Sequence, residues 1–147
     1  MYYNVQTGQP QKSKVYLICG APGGGKTTYV MQHKEPGDFV LDLDLIRQAF
    51  GAPQKTDECF QRQVLLVRDL LYNEIVHQQI GCKNIWIISG LPKLSKRRAV
   101  SLQLGAEIIF IKAKKIDCIR RVMSDDSQKD KAKQIEIINE YFDKLEE

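Results

Sequence analysis

Residues 20–27 read Gly20-Ala21-Pro22-Gly23-Gly24-Gly25-Lys26-Thr27 and follow the pattern G-x-x-x-x-G-K-[ST]. A polyphosphate must lie within hydrogen-bond distance of several backbone N–H groups at once. Side chains would block that approach, and the loop needs dihedrals that glycine adopts cheaply. The helix that follows turns its N-terminal N–H groups and positive dipole end toward the same anion. Lys26 sets a cation against the β- and γ-phosphates, and the Thr27 hydroxyl ligates Mg²⁺. Gly20, Gly23, Gly24, Gly25, Lys26, Thr27 and Thr28 are therefore the candidate nucleotide-binding residues. The competing reading is a glycine-rich strand-to-helix turn that binds nothing.

A phosphate loop does not say what happens to the phosphates, so other residues must decide. The stretch Val40–Phe50, VLDLDLIRQAF, ends an apolar run in Asp42, adds Asp44, and sets Arg47 three residues later. In a doubly wound sheet ligands collect at the C-terminal ends of the strands. Asp42 and Asp44 then face the crevice of the glycine loop. A carboxylate there can take the proton of a hydroxyl as it attacks the γ-phosphate. An arginine one turn on can hold an anionic part of the acceptor. The alternative for Asp44 is a helix cap with Arg47 exposed on the helix, and Asp42 can serve simply to orient its neighbours.

Lys93, Lys96, Arg97 and Arg98 make a basic cluster near a helix start, read either as a solvated face or as a site for acceptor phosphates. Trp86 lies within an apolar run and reads as core. Tyr2 and Tyr3 sit in a polar arm, where stacking on a base is the less favoured reading. The cysteines, Cys19, Cys59, Cys82 and Cys118, lack CxxC spacing and lie far in sequence from His33 and His77. Metal-ligand spacing is absent, and they read as small apolar residues of a reducing compartment.

These residues need elements to hold them. Short apolar runs alternate with longer amphipathic stretches, the pattern of a parallel sheet covered on both faces. The predicted strands are Val15–Cys19, Phe39–Asp42, Asn84–Ser89 and Ala106–Lys112. The predicted helices are Lys26–His33, Asp44–Phe50, Thr56–Ile80, Ser95–Leu104, Asp117–Met123 and Lys131–Leu145. In the third of these, Phe60, Val64, Val67, Leu71 and Ile75 form a one-sided apolar stripe that Gly81 should end. The segment Ser124–Lys129 reads as a loop.

The chain has 147 residues, 43% hydrophobic and 27% charged, which suits a single globular domain. We expect a polar arm over residues 1–14 and one domain over 15–147. The N-terminus lacks the apolar core of a signal peptide, and no run is long enough to span a membrane, so a cytoplasmic location is expected. The net charge of +4 suits an anionic substrate without identifying one.

In order along the chain, GAPGGGKTT, LDLDLIRQAF, IWIISGLPKLSKRRA and KIDCIRRV resemble the P-loop kinases of the polynucleotide kinase type, with adenylylsulfate kinases as more distant relatives. The resemblance covers residues 15 to about 123. It implies a three-layer α/β P-loop NTPase fold with a parallel sheet of about four strands. It also implies transfer of the γ-phosphate of ATP, with Mg²⁺, to a hydroxyl acceptor: a nucleic-acid 5′-hydroxyl, a nucleotide or another small hydroxyl compound. Asp44 becomes the base and Arg47 the substrate clamp. Two departures stand out. That group commonly ends its third strand in an aspartate acting on Mg²⁺ or its water, where this chain has Ser89. Either Asp42 or Asp44 then supplies the negative charge, or activity is weak. The lid after Arg120 and Arg121 is short and half acidic, leaving those two arginines as the candidates for stabilising the transferring phosphoryl group. The weakened strand end favours a different class, a small ATPase or nucleotide switch acting through a protein partner. A non-catalytic nucleotide-binding domain is a third reading.

Overall fold

The computed structural model describes residues 1–52, 60–127 and 129–147. Its centre is a four-stranded sheet made of β3 (Lys14–Gly20), β4 (Phe39–Asp42), β5 (Asn84–Ser89) and β6 (Ala106–Ile111). All neighbours pair in parallel, in the order β4-β5-β3-β6. The predicted strands hold to within a residue or so, because a strand buried on both faces is a continuous apolar run bounded by polar or glycine residues.

Side-chain alternation along these strands divides the interior into two layers. Leu17, Cys19, Leu41, Ile85 and Ile87 face α3 (Gln61–Val76) and α4 (Leu94–Leu104), packing with Ile75 and Leu104. Ile18, Trp86 and Ile88 face the other way, toward Val30 of α1 (Lys26–His33). Trp86 is core as expected. Its ring stacks on Tyr16 with centroids 4.5 Å apart, and its Nε1–H donates to Asp38 Oδ2 at 2.8 Å. A third cluster packs α5 (Lys115–Ser124) and α6 (Lys131–Lys144) against Ala21, through Cys118, Val122, Ile138 and Tyr141.

Several expectations change. The segment read as a loose arm holds a small antiparallel ribbon, β1 (Tyr2–Tyr3) with β2 (Pro10–Gln11). Asn4 Oδ1 turns it by accepting from the N–H groups of Gln6 and Thr7. The Met1 amino group bonds the Gln78 carbonyl, and Ser13 Oγ donates to the carbonyls of Ile80 and Cys82, tying this segment to the loop before β5. That is the end of the sheet opposite the strand C-termini.

Helix α3 ends at Val76, with His77 as C-cap and Gln78 left-handed at φ 56°, so Gly81 does not stop it. Phe60 precedes the helix and is exposed, leaving Val64, Leu71 and Ile75 to carry the stripe. Residues 56–59 of the predicted helix, including Cys59, lie outside the described residues. Helix α4 begins at Leu94 without a Ser95 cap, and the Leu94 N–H donates to Glu146 Oε2 at 3.0 Å. Among the described residues no helix is long and apolar enough to cross a membrane.

Candidate active site

The register of the sheet brings the strand ends level. Cys19 lies opposite Ser89, Gly20 opposite Ile111 and Asp42 opposite Ile88. Gly20, Asp42 and Ser89 therefore leave the sheet along one edge. Beyond that edge opens a cleft of about 820 Å³ lined by the glycine loop, Thr27, Thr28, Asp42, Asp44, Arg47, Ser89 and Arg121.

The loop itself is built by close approach. A Cβ at Gly24 would stand 2.8 Å from the Ala21 carbonyl oxygen, which accepts from the Gly24 N–H at 2.9 Å. Gly25 is left-handed at φ 96° and starts α1 with no side-chain cap. The first turn of α1 also lacks an acidic residue, so its leading N–H groups and positive dipole end have no carboxylate within their own turn. Lys26 Nζ folds back over the loop and donates to the carbonyls of Gly20 (2.7 Å) and Ala21 (2.9 Å). Thr27 and Thr28 are exposed at the cleft wall.

On the β4 side, Asp42 is the N-cap of the short helix α2 (Leu43–Ala49), its Oδ1 accepting from the Asp44 N–H at 3.0 Å. Asp44 is not that cap. Its Oδ1 pairs with Arg47 Nη1 at 2.9 Å, and Arg47 Nη2 donates to Gln61 Oε1 at 2.7 Å. Arg47 Nε is buried with no hydrogen-bond partner among the described residues. The arginine is thus a mostly buried wall group, its fork fixed from two helices, and not an exposed side chain on the helix.

The two arginines of α5 separate. Helix α5 is pressed onto the loop by Cys118 and Val122, one turn apart, and this brings Arg121 Nη1 to the Gly23 carbonyl at 2.6 Å. Arg120 points elsewhere. It is 74% exposed, lies 3.7 Å from Asp117 and does not line the cleft. The helix carries only one of the pair to the phosphate loop, because neighbouring residues on a helix point about 100° apart.

The basic cluster near Lys93 does not line the cleft. Lys93, Lys96 and Arg98 are exposed, whereas Arg97 is 3% exposed and structural. Its Nη1 donates to the carbonyls of Leu91 and Pro92 at 2.9 Å, its Nη2 bonds the Glu146 carbonyl, and its guanidinium lies 4.8 Å over the Phe110 ring. Tyr2 and Tyr3 are likewise remote from the cleft. Burial pushes the Cys19 thiol up to about 11 and also raises that of Cys118, so both are inert side chains of the interior.

Sequence reasoning did not anticipate Gly90, Asp125 and Gln134, which also line the cleft, or Gln61 as the partner of Arg47. Gln134 and Asp125 arrive from α6 and the turn before it, and nothing in their local pattern distinguishes them from ordinary helix and loop residues.

Metal chemistry fits the donor set in one form. Among the described residues no group of three His, Cys, Asp or Glu side chains could by itself hold an ion. A hydroxyl and one or two carboxylates beside a phosphate cradle are what Mg²⁺ ordinarily takes, with phosphate oxygens and waters completing its shell.

No family model and no curated protein sequence matches the chain. Solved structures do. The chain is similar to one in the structure of the Pnkp1/Rnl/Hen1 RNA repair complex, with a TM-score of 0.63 and 11% identity over 97% of this chain. It spans only 49% of that longer chain. It is also similar to a gluconokinase from Sinorhizobium meliloti 1021 (TM-score 0.54, 13% identity, 95% of this chain and 78% of that one). A third similar structure is APE1195 (TM-score 0.58, 21% identity, 93% of this chain and 81% of that one). At these identities the likeness is one of architecture alone. The fold is that of the P-loop NTPases.

Proposed function

We propose that the chain is an ATP-dependent phosphotransferase that moves the γ-phosphoryl group to a hydroxyl acceptor. The observation that carries the reading is the Asp44–Arg47 pair on the wall of the same cleft as the phosphate loop. A module that only binds ATP has no need of an acceptor base and a guanidinium clamp on the same cleft. The similar structures include a gluconokinase and a chain of an RNA repair complex, which supports kinase chemistry and leaves the acceptor open.

In this reading the N–H groups of Gly23, Gly24, Gly25, Lys26, Thr27 and Thr28 bind the β- and γ-phosphates, with Gly20 admitting the loop to its place beside β6. The Lys26 ammonium exchanges the Gly20 and Ala21 carbonyls for phosphate oxygens. Thr27, Asp42 and Ser89 are the residues that would hold Mg²⁺. The ion would neutralise charge on the phosphates. Asp44 accepts the proton of the acceptor hydroxyl through Oδ2, since Oδ1 is engaged by Arg47. The new bond forms from the acceptor oxygen to the γ-phosphorus as the bond to the ADP oxygen breaks. Arg47 offers the positive charge of its guanidinium to an anionic part of the acceptor. Arg121 supplies positive charge to the transferring group from the loop side. Arg120, exposed beside Asp117 and off the cleft, takes no part in this reading.

A second reading is favoured by Ser89, which puts no charge where a metal-directing carboxylate would help. It is a small ATPase or switch working through a protein partner. A screen with γ-labelled ATP against DNA, RNA, nucleosides and sugars separates the two. Label on an acceptor supports the phosphotransferase. Label released only as inorganic phosphate, with every acceptor class tried, overturns it in favour of the ATPase.

A further inference from the structure

The turn that leaves β5 holds a backbone its own residues do not favour. Leu91 has φ 45°, in the left-handed region that bulky side chains adopt at a cost. Its side chain packs with the core layer beneath α3 and α4. Pro92 follows and has no N–H to tie the turn down. Ser89 and Gly90, just before Leu91, line the cleft. Such a backbone persists only where its surroundings over-determine it.

Arg97 and Glu146 supply those surroundings. Arg97 Nη1 donates to the Leu91 and Pro92 carbonyls, both at 2.9 Å, and its Nη2 donates to the Glu146 carbonyl. Glu146 adds two bonds of its own. Its N–H donates to the Pro92 carbonyl at 2.9 Å, and its Oε2 accepts from the Leu94 N–H at 3.0 Å. Helix α6 carries Glu146 to this place. Its buried face of Gln134, Ile138 and Tyr141 runs from the cleft, which Gln134 lines, to Gly90, where a Cβ would stand 3.9 Å from Tyr141 Cε2. Burying a guanidinium is costly unless it is well paired. Here its hydrogen bonds go to the strained turn behind a cleft residue and to the strap that crosses that turn.

We propose that Arg97 and Glu146 are positioning residues, a clamp that holds the Leu91 turn in its left-handed form and so fixes Ser89 at its place on the cleft wall. Neither residue lines the cleft. Both act through Ser89. The proposal rests on the reading of Ser89 as a residue that would hold Mg²⁺, and it is measurable without any phosphoryl transfer.

The test titrates Mg²⁺ at fixed ATP and reads ATP binding, together with amide hydrogen exchange of residues 89–91 in the protein without ligand. Ser89→Ala should raise the Mg²⁺ concentration for half-maximal binding by about 10- to 100-fold, the range for residues that orient a metal's shell. Arg97→Lys keeps the charge but lacks the planar fork that reaches three carbonyls. It should reproduce most of that shift, speed exchange at residues 89–91, and leave ATP binding without Mg²⁺ unchanged. The double variant Ser89→Ala/Arg97→Lys should shift no further than Ser89→Ala alone, because the clamp acts through the serine. Asparagine tolerates a left-handed backbone. Leu91→Asn added to Arg97→Lys should therefore restore the Mg²⁺ dependence and slow the exchange, even as lost packing lowers the melting temperature. A merely structural arginine would give the opposite, with every readout worsened. Glu146→Ala changes an exposed residue, so its fold survives, and it should move both readouts in the same direction as Arg97→Lys. Wild-type Mg²⁺ dependence in Arg97→Lys and Glu146→Ala, beside a shift in Ser89→Ala, would overturn the clamp and leave the Mg²⁺ reading standing. Multiplied shifts in the double variant would overturn it as well. Unaltered Mg²⁺ dependence in Ser89→Ala would remove the serine from the Mg²⁺ reading and overturn the clamp with it. The expected shifts without phosphoryl transfer to any acceptor would support the clamp and count against the phosphotransferase alone.

Discussion

Replacing Asp44 by asparagine removes the proposed base while sparing most of what surrounds it. Asn keeps an oxygen for the Arg47 Nη1 bond, now 2.9 Å from Oδ1. The cap of α2 is the Asp42 side chain and does not change. The loss is then that of one partly exposed ion pair, under about 1 kcal/mol. A chain of this size loses about 2–4 °C of melting temperature per kcal/mol, so the fold should survive nearly intact. ATP affinity should also persist, because the phosphates are held across the cleft by residues 23–28. Transfer to the acceptor should fall by about 10²–10⁴, the usual contribution of a positioned base, which is ~3–5 kcal/mol of barrier. The assay is transfer rate and ATP affinity on one preparation, with a melting curve. Transfer within a fewfold of wild type would refute the base assignment and turn attention to Asp42. Collapse of ATP binding would instead put Asp44 in the metal shell, supplying the charge that Ser89 lacks.

Arg97→Ala should cost about 3 kcal/mol or more, since it strips three carbonyls of a charged donor in a buried site. The melting temperature should drop by ~6–12 °C, and an unchanged value would mean water replaces the guanidinium without loss. Ser89→Asp should raise or preserve transfer by adding a carboxylate at the metal side of the cleft; a loss of more than ~100-fold with the fold intact would show that the serine is adapted to another role. Burial holds Cys19 protonated up to about 11 and Tyr141 up to about 12, against ordinary values of 9.0 and 10.0. Unfolding therefore releases protons above pH 9, so stability from these groups is full below pH 9 and lost as pH rises through 11 and 12. Melting curves from pH 8 to 11 should fall, and a rise would contradict the burial of both groups.

The glycine loop, its strand and its helix were legible because backbone geometry and phosphate chemistry constrain residues 15–28 directly. The same holds for Asp42, Asp44 and Arg47, which fall within six residues of one strand end. What was illegible depends on groups brought together from distant parts of the chain. Arg97 reads as one of four surface cations until Glu146 folds back across it. Gln61 gains its place only because α3 begins beside α2. The choice between Arg120 and Arg121 depends on which face of α5 buries Cys118 and Val122, which the amphipathic pattern contains but the motif alone does not reveal. The N-terminal ribbon depends on an asparagine turn and on carbonyls of the loop before β5.

Residues 20–28 must hold the phosphates of a nucleoside triphosphate for any of these reactions, and the direct measurement is melting temperature with and without Mg·ATP in the wild type and in Lys26→Ala. Ligand at 100 times its dissociation constant stabilises by about 2.7 kcal/mol, which corresponds to about 5–11 °C for a chain of this length. The wild type should show a rise of that order. Lys26→Ala should lose most of it, because the ammonium now bonded to the Gly20 and Ala21 carbonyls is the group that moves to the phosphates. An equal rise in both proteins, or none in the wild type, would mean that residues 20–28 do not hold the phosphates.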